Sequence, residues 1–127
     1  MANQTVTLNV DTSVNLTPQN VDDYSNFGQP SGTNEDFTTD VNVGDTVTWT
    51  GQSSTQPSVT VNITKIQYDG GSDVFGTPVL GGTGSPETVV GTVENDTGGD
   101  EETYTIFFTV SNQNGTFHID PKILVNT

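Results

Sequence analysis

The sequence predicts an all-β fold, a two-sheet antiparallel Greek-key sandwich of about seven strands, on three observations. Apolar residues recur at alternate positions in run after run, the period of a half-buried strand. The vocabulary is that of strands, with Thr, Val and aromatics frequent, while Ala2 is the only alanine and Lys65 and Lys122 the only lysines. Finally, 127 residues, 29% of them hydrophobic, suffice for one two-layer core and not for two, so 1–127 reads as a single domain.

The first strand is marked by strict alternation, Val6, Leu8 and Val10 facing one way and Thr5, Thr7 and Asn9 the other. Val14 and Leu16 extend the pattern until Pro18. Residues 17–40 are polar and aperiodic, a loop longer than compact domains usually carry, and its aromatics Tyr24, Phe27 and Phe37 predict that it is pinned to the core or binds a partner. A short strand at 41–43 leads through Gly44-Asp45 into 46–50, where Val47 and Trp49 share a face and Trp49 is the expected core anchor. Val59, Val61 and Ile63 alternate, and Ile66 and Tyr68 then continue on the opposite parity. Such a slip near Thr64-Lys65 is what a β-bulge produces. Residues 74–80 read as an edge-like segment broken by Pro78, and 81–86 as a flexible connection. Strand signals return at 88–94 and 103–110. The turn Asn112-Gln113-Asn114-Gly115 then joins the second of these to a closing strand at 116–125. Val47, Trp49, Val61, Ile106 and Phe108 share the inward parity and are the expected core.

The formal net charge of −14 reflects a near absence of bases, since the chain has two lysines and no arginine. Nucleic acid and anionic membrane both need Lys or Arg to neutralise phosphate, and both are poor partners for such a surface. No cysteine is present, which removes disulfides, zinc thiolates, iron–sulfur clusters and cysteine nucleophiles. Met1 to Thr5 run directly into the first strand without a basic start or an apolar stretch, so no signal peptide is read and a cytoplasmic setting, or a particle assembled there, is expected. Five Asn-x-Ser/Thr sequons, at Asn3, Asn15, Asn62, Asn95 and Asn114, are as many as a chain rich in Asn and Thr produces without glycosylation.

The run from Val41 to Thr50, VNVGDTVTWT, resembles a strand pair of cupredoxins, and its Gly-Asp-Thr-Val turn is similar to turns of immunoglobulin-like sandwiches. The resemblance implies a Greek-key β-sandwich. A blue-copper centre in that family takes two His, one Cys and an axial ligand, whereas this chain has His118 alone and no Cys, so the resemblance carries no copper site with it.

Two candidate chemistries follow from the residues. His118 and Asp120 stand two apart, on one outward face of a strand, and form half of a hydrolase triad; no Gly-x-Ser-x-Gly elbow supplies the nucleophile. Two acidic turns, Asp69-Gly70-Gly71-Ser72-Asp73 and Asp96-Thr97-Gly98-Gly99-Asp100 with Glu101 and Glu102 following, have the oxygen donors that calcium prefers. Asp69, Asp73, Asp96, Asp100 and Glu102 are the candidate ligands, and Asp and Gly are equally the residues that turns favour. Any bound metal is expected to be such a hard cation; no other cofactor is implied.

The function expected is that of a non-catalytic structural or interaction module. It would assemble with itself or with another protein through low-charge, Thr-rich faces (Thr46, Thr48, Thr50; Thr103, Thr105, Thr109) and through strand edges without Lys gatekeepers. A calcium-dependent carbohydrate- or protein-binding module, using the acidic turns and the aromatics Tyr24, Phe27 and Tyr68, is the first alternative, and a small hydrolase using His118 the second; Tyr24, Phe27 and Phe37 are the candidate partner contacts.

Overall fold

The computed structural model describes residues 3–28, 34, 37–68, 74–77, 79–84 and 87–126. Among these are β1 (Asn3–Val10), β2 (Ser25–Asn26), β3 (Thr38–Asn42), β4 (Thr46–Ser53), β5 (Val61–Tyr68), β6 (Val79–Gly81), β7 (Val89–Thr92), β8 (Glu102–Val110), β9 (Phe117–Ile119) and β10 (Lys122–Asn126), with one 3₁₀ turn at Val21–Tyr24. They form two layers, as the alternation requires. The four-stranded sheet runs β2-β1-β4-β7, and the larger one runs β3-β10-β8-β5-β6, with β9 beside β8.

Three details depart from the expected architecture. Ten strands replace about seven, because β2, β6 and β9 have only two or three residues and because the closing strand divides. The division falls at Asp120-Pro121, where proline has no N–H for the ladder. β9 and β10 therefore lie end to end along β8, with Phe108 opposite Phe117 and Thr103 opposite Lys122. The sheets are mixed rather than antiparallel: β1 runs parallel to β4 over its whole length, and β10 parallel to β3. Alternation fixes which face a residue occupies but not the direction of its neighbour. Parallel strands require a long crossover, and the segment between β1 and β4 is one, passing through β2 in one sheet and β3 in the other.

That segment is pinned, as its aromatics predict. Phe27 and Phe37 stack at 4.5 Å with planes 14° apart. The Phe37 carbonyl accepts from Lys122 N–H, and the Asp11 N–H donates to the Tyr24 carbonyl. Gln113 ties down the stretch after β1, its Oε1 accepting from Leu16 N–H at 2.8 Å and its Nε2 donating to the Val14 carbonyl at 2.7 Å. Gly44, at φ +98°, makes the tight passage from β3 to β4, and the buried Asp45 caps it by accepting the Asn42 N–H at 2.9 Å.

The core holds every residue expected in it: Val47, Trp49, Val61, Ile106 and Phe108 are all essentially inaccessible. Trp49 on β4 donates from Nε1 to the Tyr104 hydroxyl on β8 at 3.1 Å, a hydrogen bond joining the two sheets. Val74 and Phe75, in a stretch that reads as edge-like from sequence, are also buried, and Phe75 meets Trp49 edge to face at 5.4 Å. Glycines keep the sheets close around these rings. A Cβ at Gly51 would stand 2.5 Å from Val61 Cγ1, and one at Gly91 would stand 2.5 Å from Leu80 Cδ1 and 3.1 Å from Phe75 Cδ1.

The bulge lies where the parity slips. Ile63 pairs with Phe108 and Lys65 with Phe107, leaving Thr64 as the extra residue. Ile66 and Tyr68 thereby turn inward, and Lys65 turns outward.

Two measurements test this packing. Gly51→Ala must displace Val61 and its backbone, and is expected to cost about 1–3 kcal/mol in urea-unfolding free energy. Burial pushes the Tyr104 phenol up to about 12 from its ordinary 10.0, partly offset by the Trp49 hydrogen bond; Thr39 lies near enough to influence it, yet its Oγ1 makes no hydrogen bond. The folded state therefore favours the protonated phenol, and the associated stability, complete below pH 10, is lost as pH rises through 12. The decline is expected to approach roughly 3 kcal/mol. Tyr104→Phe should abolish that alkaline decline while costing about 1–3 kcal/mol at neutral pH, because the Trp49 N–H is left buried without an acceptor.

Candidate interaction surface

The strands of the four-stranded sheet read NQTVTLNV, SN, TVTWTGQS and VVGT, and none contains an Asp, Glu, Lys, Arg or His. In a chain of net charge −14 this sheet carries no ionisable side chain. Val6, Leu8, Val10, Val47, Trp49, Val89 and Gly91 fill its inner face, and the outer face displays hydroxyls and amides. Parallel register sets Thr5 beside Thr48, Thr7 beside Thr50 and Asn9 beside Gln52. The antiparallel partner β7 places Val90 beside Thr48 and Thr92 beside Thr46.

Much of this polarity is satisfied within the face. Gln52 Nε2 donates to Asn9 Oδ1 at 2.6 Å, and Asn9 Nδ2 donates to Asn26 Oδ1 at 3.3 Å, a ladder crossing three strands. Thr50 Oγ1 donates to Thr7 Oγ1 at 3.5 Å. Val90, at 55% exposure, is the most open large apolar side chain among the described residues and lies on this face.

The larger sheet is the opposite. Lys65, Lys122 and His118, which are every lysine and histidine in the chain, stand on its outer face. β5, β8 and β9 align Lys65, Phe107 and His118 in one row. The Lys65 ammonium sits over the Phe107 ring at 4.2 Å, and the His118 ring lies 5.8 Å from it, tilted by 39°. Asp120, two residues beyond His118, accepts the Thr105 hydroxyl at 2.8 Å. The nearest side-chain partners of this His–Asp pair are thus a phenyl ring and a threonine.

Of the candidate calcium ligands, Asp69 and Asp73 lie outside the described residues. In the second turn, Asp96 Oδ1 accepts the Gly98 N–H at 3.0 Å, an Asx turn followed by Gly98 and Gly99 at positive φ. Thr97 staples the turn to β10, its Oγ1 accepting the Val125 N–H at 3.1 Å. Asp100 is exposed, Glu102 lies on β8 opposite Ile123, and a hollow of about 170 Å³ beside Asp96 has Gly98, Gly99, Val125 and Asn126 as its other walls. Among the described residues no group of three or more His, Cys, Asp or Glu converges as metal ligands would. A larger hollow, about 360 Å³, opens between the end of β4 and residues 57–61 and is lined by no ionisable group. Of the aromatics considered as partner contacts, Tyr24 is exposed, whereas Phe27 and Phe37 cover one another.

Sequence reasoning located Thr46, Thr48 and Thr50 on one face and Thr103, Thr105 and Thr109 on another. It missed that β1 lies in parallel register on β4, which doubles the first threonine row, and it missed Val90. The signal available was negative: four runs without a single charge.

No family model matches the sequence, and no curated protein does. Among solved structures, the chain is similar to the crystal structure of an inclusion body protein, PixA, from Burkholderia cenocepacia, at 16% sequence identity and a TM-score of 0.65. The match covers 99% of this chain and 97% of that one, so the two share their fold from end to end.

If Asp96, Asp100 and Glu102 serve only as turn and strand residues, calcium and magnesium at matched ionic strength should raise the melting temperature equally. That is the expected outcome, and replacing the three together with Asn, Asn and Gln should leave it unchanged. A calcium-specific rise lost in the triple variant would instead establish an ion site at this turn.

Proposed function

We propose that this protein is a non-catalytic structural module that assembles with copies of itself through its sheet faces. The observation that carries the reading is the partition of charge: one sheet has no ionisable side chain in a chain of net charge −14, and the other has all the lysine and histidine. Carboxylates over much of the remaining surface keep copies apart at long range, while the outer face of the four-stranded sheet offers a place where close approach opposes no like charges. Full-length similarity of fold to a protein described as an inclusion body protein supports the same reading.

Catalysis finds little support in the arrangement of the candidate groups. His118 packs on Phe107, Asp120 holds Thr105, and the larger hollow has no acid, base or nucleophile pair in its walls.

Size-exclusion chromatography with light scattering, across concentration and ionic strength, tests the proposal. The mass is expected to rise with concentration, and to rise further as salt screens the carboxylates over a Debye length of about 8–10 Å near physiological ionic strength. A strict monomer at high concentration in both low and high salt overturns it.

A further inference from the structure

We infer that the charge-free outer face of the four-stranded sheet is the interface between two copies of this chain, packed face to face about a two-fold axis; the inference rests on the self-assembly proposed above and names its surface. Three observations single out this face and this occupant. The first is charge. β1, β2, β4 and β7 hold no ionisable residue, so apposing two such sheets sets no strand carboxylate of one onto a strand carboxylate of the other. With every lysine and histidine on the other sheet, the face has nothing to hold an anionic ligand.

The second is desolvation. Polar faces dock poorly when water must be stripped from groups left without partners. Here Gln52, Asn9 and Asn26 already bond to one another across three strands, as do Thr50 and Thr7, so part of the cost of drying and ordering these side chains is met within the monomer. The third is shape and apolar content. Threonines paired on neighbouring strands and the open Val90 give a partly apolar surface, while the sheet's aromatic, Trp49, points inward. A glycan platform would use exposed rings, and these strands display none.

Size sets the strength. The four strands have eight, two, eight and four residues, which at about 3.3 Å per residue and about 4.8 Å between strands present a face of roughly 350 Å², hence roughly 700 Å² buried per pair, below the size of standard specific interfaces. The pair is therefore a weak, concentration-driven contact. In a two-fold contact every residue acts twice, so a single substitution introduces two charges.

Thr48→Glu places a carboxylate near the centre of the face, Val90→Glu places one beside it on the edge strand β7, and Thr103→Glu places one on the outer face of the other sheet as a control. The measurement is the dissociation constant of self-association by sedimentation equilibrium at fixed ionic strength, with the thermal midpoint and Trp49 emission confirming the fold. Both face variants are expected to weaken association roughly tenfold or more, and Thr103→Glu to leave it within about twofold. Should Thr48→Glu lower the midpoint sharply, Val90→Glu decides, since that side chain already stands in solvent. Association retained in the face variants, or lost equally in Thr103→Glu, overturns this interface and leaves self-assembly standing through another surface. A monomeric wild type overturns both. So does a monomer that is retained on a neutral polysaccharide and released by Thr48→Glu, which would assign the face to a glycan.

Discussion

The hydrogen bond from the Trp49 indole to the Tyr104 hydroxyl is the constraint around which the sandwich closes. Each ring belongs to a different sheet, their centroids stand 5.8 Å apart, and neither group has access to water, so each satisfies the other's only buried polar atom at the centre of an apolar layer. Accommodating an indole between sheets demands space, and the sequence provides it with glycine. Gly91 faces the Trp49 ring edge, where a Cβ would lie 3.4 Å from it and closer still to Leu80 and Phe75, and Gly51 lets β5 begin against β4. Phe75 then fills the remaining side, edge on to both Trp49 and Tyr68. The largest side chain of the core and its smallest residues are one device.

With the interior so occupied by the apolar minority of the chain, function is left to what the strands display outward. The bulge at Thr64 controls this on the larger sheet. On an unbroken alternation Lys65 would share the inward parity of Val61 and Ile63, an unpaired ammonium in the core; the extra residue turns it out onto Phe107 and sends Ile66 inward in its place. The same irregularity that rescues the core sets Lys65 over Phe107 in the row shared with His118. On the smaller sheet no irregularity intervenes, and the parallel register of β1 on β4 runs unbroken for eight residues, keeping threonine beside threonine.

How much of this the sequence discloses follows from what periodicity encodes. Face assignment was legible: Trp49 and the core around it, the bulge at Thr64-Lys65 and the turn at Asn112-Gly115, where Gly115 takes φ +98°, all follow from period-two patterning and turn chemistry. Strand direction was not, because alternation reads the same in a parallel and an antiparallel pair, and so the β1–β4 pairing that assembles the threonine face stayed hidden. Val74 and Phe75 were obscured for a different reason. They enter the core from a turn, with the Val74 carbonyl accepting from the Glu94 N–H, and two residues are too few to establish a period. Of the candidate site residues, the acidic turn at Asp96 was visible as a turn, and its Asx geometry is what that composition favours.

Sheet edges and sheet faces make different assemblies, and this fold discriminates between them. Sequence reading places docking at both, because no lysine guards the edges. The outermost strands β2, β7, β3 and β6 have two, four, five and three residues, and β2 covers only Asn9 and Val10 of β1. The longest of them, β3, is tied to its neighbours by side chains, Asn126 Nδ2 donating to Asp40 Oδ1 at 2.6 Å and Thr38 Oγ1 to Glu101 Oε2 at 2.8 Å. Edge pairing would give continuous cross-β growth, in which each added strand re-creates the template. Face packing of a folded unit gives closed pairs that exchange, with a strength set by area and by charge. On the proposed reading, a protein with one neutral sheet and a net charge of −14 associates reversibly in the folded state, the long-range repulsion of its carboxylates opposing the short-range attraction of that face.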